Sequence, residues 1–283
     1  MATRRGPICV SVINMKGGVG KTTVVALLGR RAAIKDFRVL VVDLDPQANL
    51  SQAYMGNAYR RFLTNQQPSI VEVFDGYRPP AGPRTSTTPL DPEDVVHNVY
   101  RDGTLAYVPS RFDFSDNLVR AVKPDPKVLS HFIADHFQDR DLVLIDCPPT
   151  ESVFTRAAYH ASRYVLVPVR PEYFATVGFP LLAQSLHTFR TENPAHAIDV
   201  LGVVINNGFY DGGNDGGPEK RRAMPEILEE AEKNGWHVFR RQIPHSRGFP
   251  KLMRGDRSHG GNSWRFRLFA DECLERLGFG GDD

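Results

Sequence analysis

The sequence predicts an α/β fold: a mostly parallel twisted sheet flanked by helices on both faces, in a single domain over residues 1–283. Two observations carry that expectation. β-branched runs recur along the chain with helical stretches between them, and several show little polar alternation, as strands covered on both faces must. A length of 283 residues, with 41% hydrophobic and 24% charged, suffices for such a sheet and its covering helices.

The strands read in order as "ICVSVIN", "RVLVVDLD", "TLAYVPS", "DLVLIDCPP", "RYVLVPV" and "AIDVLGVVINN". Between them, "TTVVALLGRRAAI" and "PKVLSHFIADHFQ" carry apolar residues at helical spacing, and "VGFPLLAQSLHTFR" accepts Pro180 in its first turn. Residues 57–104 break the alternation. Pro68, Pro79, Pro80, Pro83, Pro89 and Pro92 predict mostly extended chain there, around one short helix near "SIVEVF", as a surface insertion. The glycine-rich "NNGFYDGGNDGGPEK" reads as a flexible connection, since no Gly-Lys-Ser/Thr follows it. Pro225 is then expected to open a helix and Gly235 to close it. In the last helix, "SWRFRLFADECLERLGF", Trp264, Leu268, Phe269, Cys273, Leu274 and Leu277 gather on one side. Asp271, Glu272 and Glu275 make the other side mixed in charge, which suits packing on the domain better than a membrane surface.

The chemistry concentrates in "VINMKGGVGKTT", Val12 to Thr23. A loop that leaves a buried strand through glycines and enters a helix aims successive backbone N–H groups at one point, where the helix dipole adds positive potential. Gly17, Gly18 and Gly20 permit close approach of a phosphate, with the Val19 backbone between them. Lys21 is placed to reach β- and γ-phosphate oxygens, Thr22 to put its hydroxyl on Mg²⁺, and Thr23 to bond an α-phosphate. The first glycine of the usual pattern is replaced by Met15, and Lys16 follows it as a second lysine. On its own Lys16 reads as a solvated loop residue.

Acids stand where a Mg²⁺–triphosphate site needs them. Asp43 and Asp45 in "VLVVDLDPQ" are two residues apart at a strand end, so both leave the same face near the carboxyl edge of the sheet. Asp146 ends "DLVLID" and suits a Mg²⁺ water shell. A single Asp after an apolar strand is commonly a turn or cap residue; three strand ends of matching chemistry favour function.

Together "MKGGVGKTT", "VVDLDPQAN", "LVLIDCPP" and "YVLVPVRPE" resemble the ParA/MinD family of deviant Walker-type P-loop ATPases, most closely the ParA partition ATPases without an N-terminal helix-turn-helix domain. The resemblance runs from about Ile8 to Leu277 and is weakest over 57–104. It implies an ATP-dependent homodimer in which Lys16 reaches the partner's nucleotide while Lys21 serves its own. Two triphosphates facing each other repel, and a lysine from each side offsets that charge only when both sites are filled. It implies further that Asp45 positions the attacking water, that Asp43 supports the Mg²⁺ shell, that Asn206 and Pro244 contact adenine, and that Glu172 sits at the interface.

The resemblance also implies slow hydrolysis that times release from a surface. In ParA-like chains that surface is DNA bound without sequence preference, with a ParB-like partner that stimulates release. A net charge of +2 announces no nucleic-acid partner, but Val238 to Arg267 holds eight Lys/Arg against one acidic residue, and Lys220, Arg221 and Arg222 form a second cluster. Arg221, Arg222 and Arg247 are the expected DNA contacts. "IPHSRGFPK" lacks the acidic residue and alanine common after this strand in ParA, which weakens the transfer of individual contacts. A positioning ATPase for a non-DNA cargo or a membrane-associated machine uses the same catalytic parts and stays open as the alternative. A start at Ile8 leaves no room for a helix-turn-helix module.

Cys9, Cys147 and Cys273 form no CxxC pair and read as free thiols, against a disulfide scaffold or a subunit-bridging iron–sulfur cluster. An ATP-dependent amidoligase of the same fold is expected to carry a substrate pocket or an added glutaminase domain, and the length leaves no space for the latter. No apolar run approaches the roughly 18 residues of a membrane span. A cytoplasmic, nucleoid-associated chain is expected.

Overall fold

In a computed structural model, which describes residues 6–76, 90–112, 125–172, 175, 177–206, 217–244, 246, 248–254 and 263–280, all six expected strands form and one more joins them. They are β1 (Ile8–Val12), β2 (Val39–Asp43), β3 (His97–Asn98), β4 (Leu105–Val108), β5 (Leu142–Asp146), β6 (Tyr164–Val169) and β7 (Asp199–Ile205). The sheet runs β3-β4-β2-β5-β1-β6-β7, parallel throughout except for the two-residue β3. β1 therefore lies between β5 and β6, and the loop that leaves it emerges in the middle of the carboxyl edge.

The strands' alternate residues feed two cores. Leu40, Val42, Val143, Ile145, Val165 and Val167 face one side, under α4 (Ile70–Gly76), α6 (Val128–His136), α7 (Val153–Ala161) and α8 (Gly178–Glu192). Val10, Val12, Val39, Val41, Leu142 and Leu144 face the other, under α1 (Lys21–Ile34), α10 (Phe249–Met253) and α11 (Ser263–Arg276). Both faces being dry explains why the strands read as continuous apolar runs.

Three expectations are corrected. Residues 57–104 hold more structure than predicted: α3 (Ala58–Thr64), α4, α5 (Pro92–Val95) and β3 stand among the described residues, following α2 (Asn49–Met55). One of the prolines starts a helix rather than preventing it. Pro92 opens α5 beneath an Asp91 cap, while Tyr59, Phe62, Ile70 and Phe74 are buried. Residues 77–89, with most of the other prolines, lie outside the described residues.

Pro225 does not open a helix. α9 (Gly217–Lys233) starts eight residues earlier, with Pro218 in its first turn, and Pro225 lies in its interior. Gly235 does close α9: at φ 64°, it lets its own N–H reach Glu232 O and Trp236 N–H reach Ala231 O. Trp264, expected on the apolar side of the last helix, is 47% exposed. Phe266, Phe269, Ala270, Cys273 and Leu274 make the buried stripe of α11 instead, and Leu277 is buried just past its end. Pro180 occupies the first turn of α8, where no N–H is needed.

Among the described residues no helix is long and apolar enough to cross a membrane. All three cysteines are free and buried, and burial pushes the thiols of Cys9 and Cys273 up to about 12, which makes them inert.

Candidate functional site

β1 ends at Val12, paired with Asp146, and Asp146 is paired in turn with Asp43. Register thus sets the phosphate loop, Asp146 and Asp43 side by side at one edge. The loop runs from Ile13 to Gly20, with Gly18 at φ 74° and Gly20 at φ 94°. At Gly20 a side chain is excluded twice over: the backbone is left-handed, and a Cβ would stand 2.1 Å from Asn206 Nδ2. Gly20 caps α1 with no side-chain hydrogen bond, and the first turn holds no acidic residue. The helix thus presents its N-terminal amides and positive dipole end to the loop.

Lys21 is 6% exposed, and its ammonium donates to the carbonyl oxygens of Asn14 and Lys16, each at 3.2 Å. Burial lowers its pKa, while Asp146 and Asp45 oppose that shift. Asn14, which sequence reasoning missed, is 1% exposed and fastens the loop: its Oδ1 accepts from Lys16 N at 2.9 Å and its Nδ2 donates to Pro168 O at 2.8 Å. A buried Asn at the exit of an apolar strand was the available signal.

The three acids have different surroundings. Asp45 accepts from Gln47 N at 2.9 Å and is raised by burial, against that hydrogen bond and Lys21. Asp43 is fully buried, and its oxygens accept from Ser51 Oγ at 2.6 Å, Ser51 N at 2.9 Å and Asp45 N at 3.2 Å. Burial lifts it to about 7 despite these bonds. Ser51 also accepts from Ser110 N at 2.8 Å, so Asp43 ties α2 and the end of β4 to β2. No sequence signal marked Ser51.

Asp146 is fully buried with both carboxylate oxygens lacking a hydrogen-bond partner among the described residues. Burial drives its pKa well up, aided by Asp43, while the nearby Thr22 hydroxyl and Lys21 pull down. Two orphaned oxygens are costly unless a cation or its water shell meets them. Oxygen donors beside a threonine hydroxyl and a phosphate loop fit Mg²⁺, which takes one or two protein ligands and leaves the rest of its shell to phosphate and water.

At the far side of the loop, Asn206 is 7% exposed and donates from Nδ2 to Val19 O at 2.8 Å. A bridge between Asn206 and Ile243 brings the buried Pro244 beside it. The expected adenine contacts are therefore neighbours, although Asn206 also braces the loop itself. Thr22 and Thr23 are partly exposed, and Gly17 and Gly18 are exposed.

The basic residues gather elsewhere. Arg221 and Arg222 are exposed on α9, and their neighbour Lys220 donates to Gln242 Oε1 at 3.1 Å. Glu272 of α11 accepts from the backbone of Arg240 and Arg241. These contacts join α9, the Arg240–Gln242 stretch and α11, which adds exposed Arg265 and Arg267. Arg247 lies outside the described residues.

Residues 8–198 match the protein family described as an AAA domain. The chromosome-partitioning ATPase Soj of Thermus thermophilus is 32% identical over 277 residues, covering 95% of this chain and 96% of that protein. Among solved structures, an ATP complex of a Cyanothece McdA variant superposes with a TM-score of 0.77 at 18% identity, over 98% of each chain. Cobyrinic acid a,c-diamide synthase from Mycobacterium smegmatis, with bound ADP and magnesium, gives 0.71 at 24% identity over 97% of each. At those identities the two structures speak for the fold.

Proposed function

The chain belongs to the AAA-domain family and, within it, to the ParA- and Soj-like ATPases, and from that premise we propose a Mg²⁺-ATP-dependent dimer that binds DNA without sequence preference and releases it on hydrolysis. ATP is the substrate and Mg²⁺ the cofactor. The observation that carries this reading is the pairing of an α1 N-terminus with no side-chain cap and Lys21 with the Asp146 carboxylate, whose buried oxygens meet no well-placed hydrogen-bond donor among the described residues, at one sheet edge.

Thr22 and Asp146 would hold Mg²⁺, which when bound supplies charge neutralisation on the phosphates. The amides from Gly17 to Thr23 and the Lys21 ammonium bind and orient the triphosphate. Asp45 aligns the attacking water; alignment and charge stabilisation, rather than strong basicity, govern phosphoryl transfer. Asp43 acts here chiefly by holding α2 and the Asp45 backbone in place.

Dimer formation is supported by Lys16, on the same edge, and by Val177 and Leu181, 56% and 55% exposed at the start of α8. Gly178 between them abuts Asn14 of the loop, which puts this apolar area next to Lys16. DNA binding is supported by exposed Arg221, Arg222, Arg240, Arg241, Arg265 and Arg267 on three segments that contact one another. A ParB-like partner and a cytoplasmic, nucleoid-associated life complete the proposal.

Binding to random-sequence duplex DNA, measured without nucleotide, with ADP and with ATP plus Mg²⁺ across a salt series, tests the reading. Tight binding only with ATP, weakening as salt rises, is expected. Absence of DNA binding in every state, with ATP-dependent dimerisation intact, would replace DNA by another cargo.

A further inference from the structure

The lysine assigned to the partner's nucleotide is held by its own chain. Lys16 Nζ pairs with Glu172 Oε1 at 2.8 Å, and the other oxygen of the same carboxylate, Oε2, is held by Arg170 Nη2 at 3.1 Å. Arg170 also reaches Gly18 O with Nη1 at 3.4 Å. Together with the bond from Asn14 to Pro168, these contacts strap the first half of the phosphate loop to the chain leaving β6.

We infer that Glu172 is a positioning residue for Lys16, tying it to its own subunit in competition with the partner's triphosphate and so setting the ATP level at which the dimer closes. The inference rests on the proposed dimer and on the role that the ParA resemblance implies for Lys16, contact with the partner's nucleotide. Its physical basis is charge. A triphosphate across the interface carries several negative charges against one on Glu172, so ATP wins the lysine but must first displace the carboxylate. Arg170 makes that exchange possible: when Lys16 leaves, Glu172 keeps a guanidinium partner and is not stranded as an unpaired ion. The Lys16 and Glu172 side chains are 32% and 21% exposed, so solvent screens the pair and its effect is a threshold rather than a block.

The test is sedimentation of the full chain through an ATP–Mg²⁺ titration, for the wild type, Glu172→Gln, Lys16→Ala and the double variant, with thermal melts to establish folding. With one strap released per subunit, Glu172→Gln should lower the ATP concentration for half-dimerisation by about threefold to tenfold. In the Lys16→Ala background, which stays monomeric, equilibrium ATP binding is the readout: the same affinity for Lys16→Ala and the double variant is expected, and a changed affinity would mean a general loosening of the loop and overturn the inference. Glu172→Ala, a second variant with the carboxylate removed, should shift the threshold in the same direction. Dimerisation of Glu172→Gln at the same or higher ATP than wild type, while Lys16→Ala fails to dimerise, would overturn the inference and leave the trans lysine standing. Wild-type dimerisation by Lys16→Ala would overturn the trans lysine and this inference with it.

Discussion

At the scale of single residues, the three carboxylates at the site are separated by what surrounds them. Asp45 has one backbone donor and the Lys21 charge nearby, so its removal leaves the phosphate loop untouched. Asp45→Ala should bind ATP as the wild type does and hydrolyse it about a hundredfold or more slowly, checked by equilibrium nucleotide binding beside single-turnover hydrolysis. Loss of binding in parallel with turnover would remove Asp45 from the reaction. Asp43 is instead a buried acid with a folded pKa of about 7 against an ordinary 3.8. Between those values the folded chain keeps a proton that the unfolded chain has lost, so this group's contribution to stability declines as pH rises from 3.8 to about 7. Asp43→Asn stays neutral throughout and should flatten that decline. Melting temperatures of both proteins across the window check it, and parallel curves would refute it. "DLDPQ" made both acids visible at once, but their division of labour was not legible. It depends on Ser51, which reaches Asp43 through the start of α2 and carries no motif of its own.

At the scale of elements, α1 and α9 show how far local pattern reaches. The glycines of the loop and the apolar spacing of α1 are local features, and they specify the strand-loop-helix unit without help from the rest of the chain. α9 is different, because Pro225 obeys the local rule for a helix start and yet lies in the interior. There it leaves the Arg221 carbonyl without its i+4 donor. The helix forms regardless because Ala223, Ile227 and Ala231, at four-residue spacing, bury their side chains in the core, and tertiary burial outweighs one lost bond. Pro225→Ala should therefore stabilise the chain by about 1–3 kcal/mol, seen as a melting temperature a few degrees higher. No rise would mean that the proline's fixed backbone is itself required. The short helices of 57–104 teach the same lesson in reverse. Proline density predicted extended chain, whereas apolar contacts of Tyr59, Phe62, Ile70 and Phe74 with the rest of the molecule brought helices out of it.

At the scale of the whole molecule, the proposed DNA-binding face draws on α9, the Arg240–Gln242 stretch and α11, which are joined by Lys220 bonding Gln242 and by Glu272 accepting from the backbone of Arg240 and Arg241. If that face binds DNA, Arg221→Ala with Arg222→Ala should weaken binding to all sequences alike and reduce the slope of log affinity against log salt by about 2, measured by fluorescence anisotropy across a salt series. An unchanged slope would move the contacts elsewhere on the surface. The sequence alone determined the parallel sheet, the phosphate loop and the three acids at strand ends. Those depend on residue periodicity and on glycine and charge at fixed short spacing, which act between neighbours along the chain. Only the tertiary structure decided that Asn14 fastens the loop, that Asp43 is occupied by Ser51 while the Asp146 oxygens meet no hydrogen-bond partner among the described residues, and that Glu172 holds Lys16. Each of these is a hydrogen bond or ion pair, or the lack of one, set by strands and loops that pack side by side, and spacing along the chain carries no record of it.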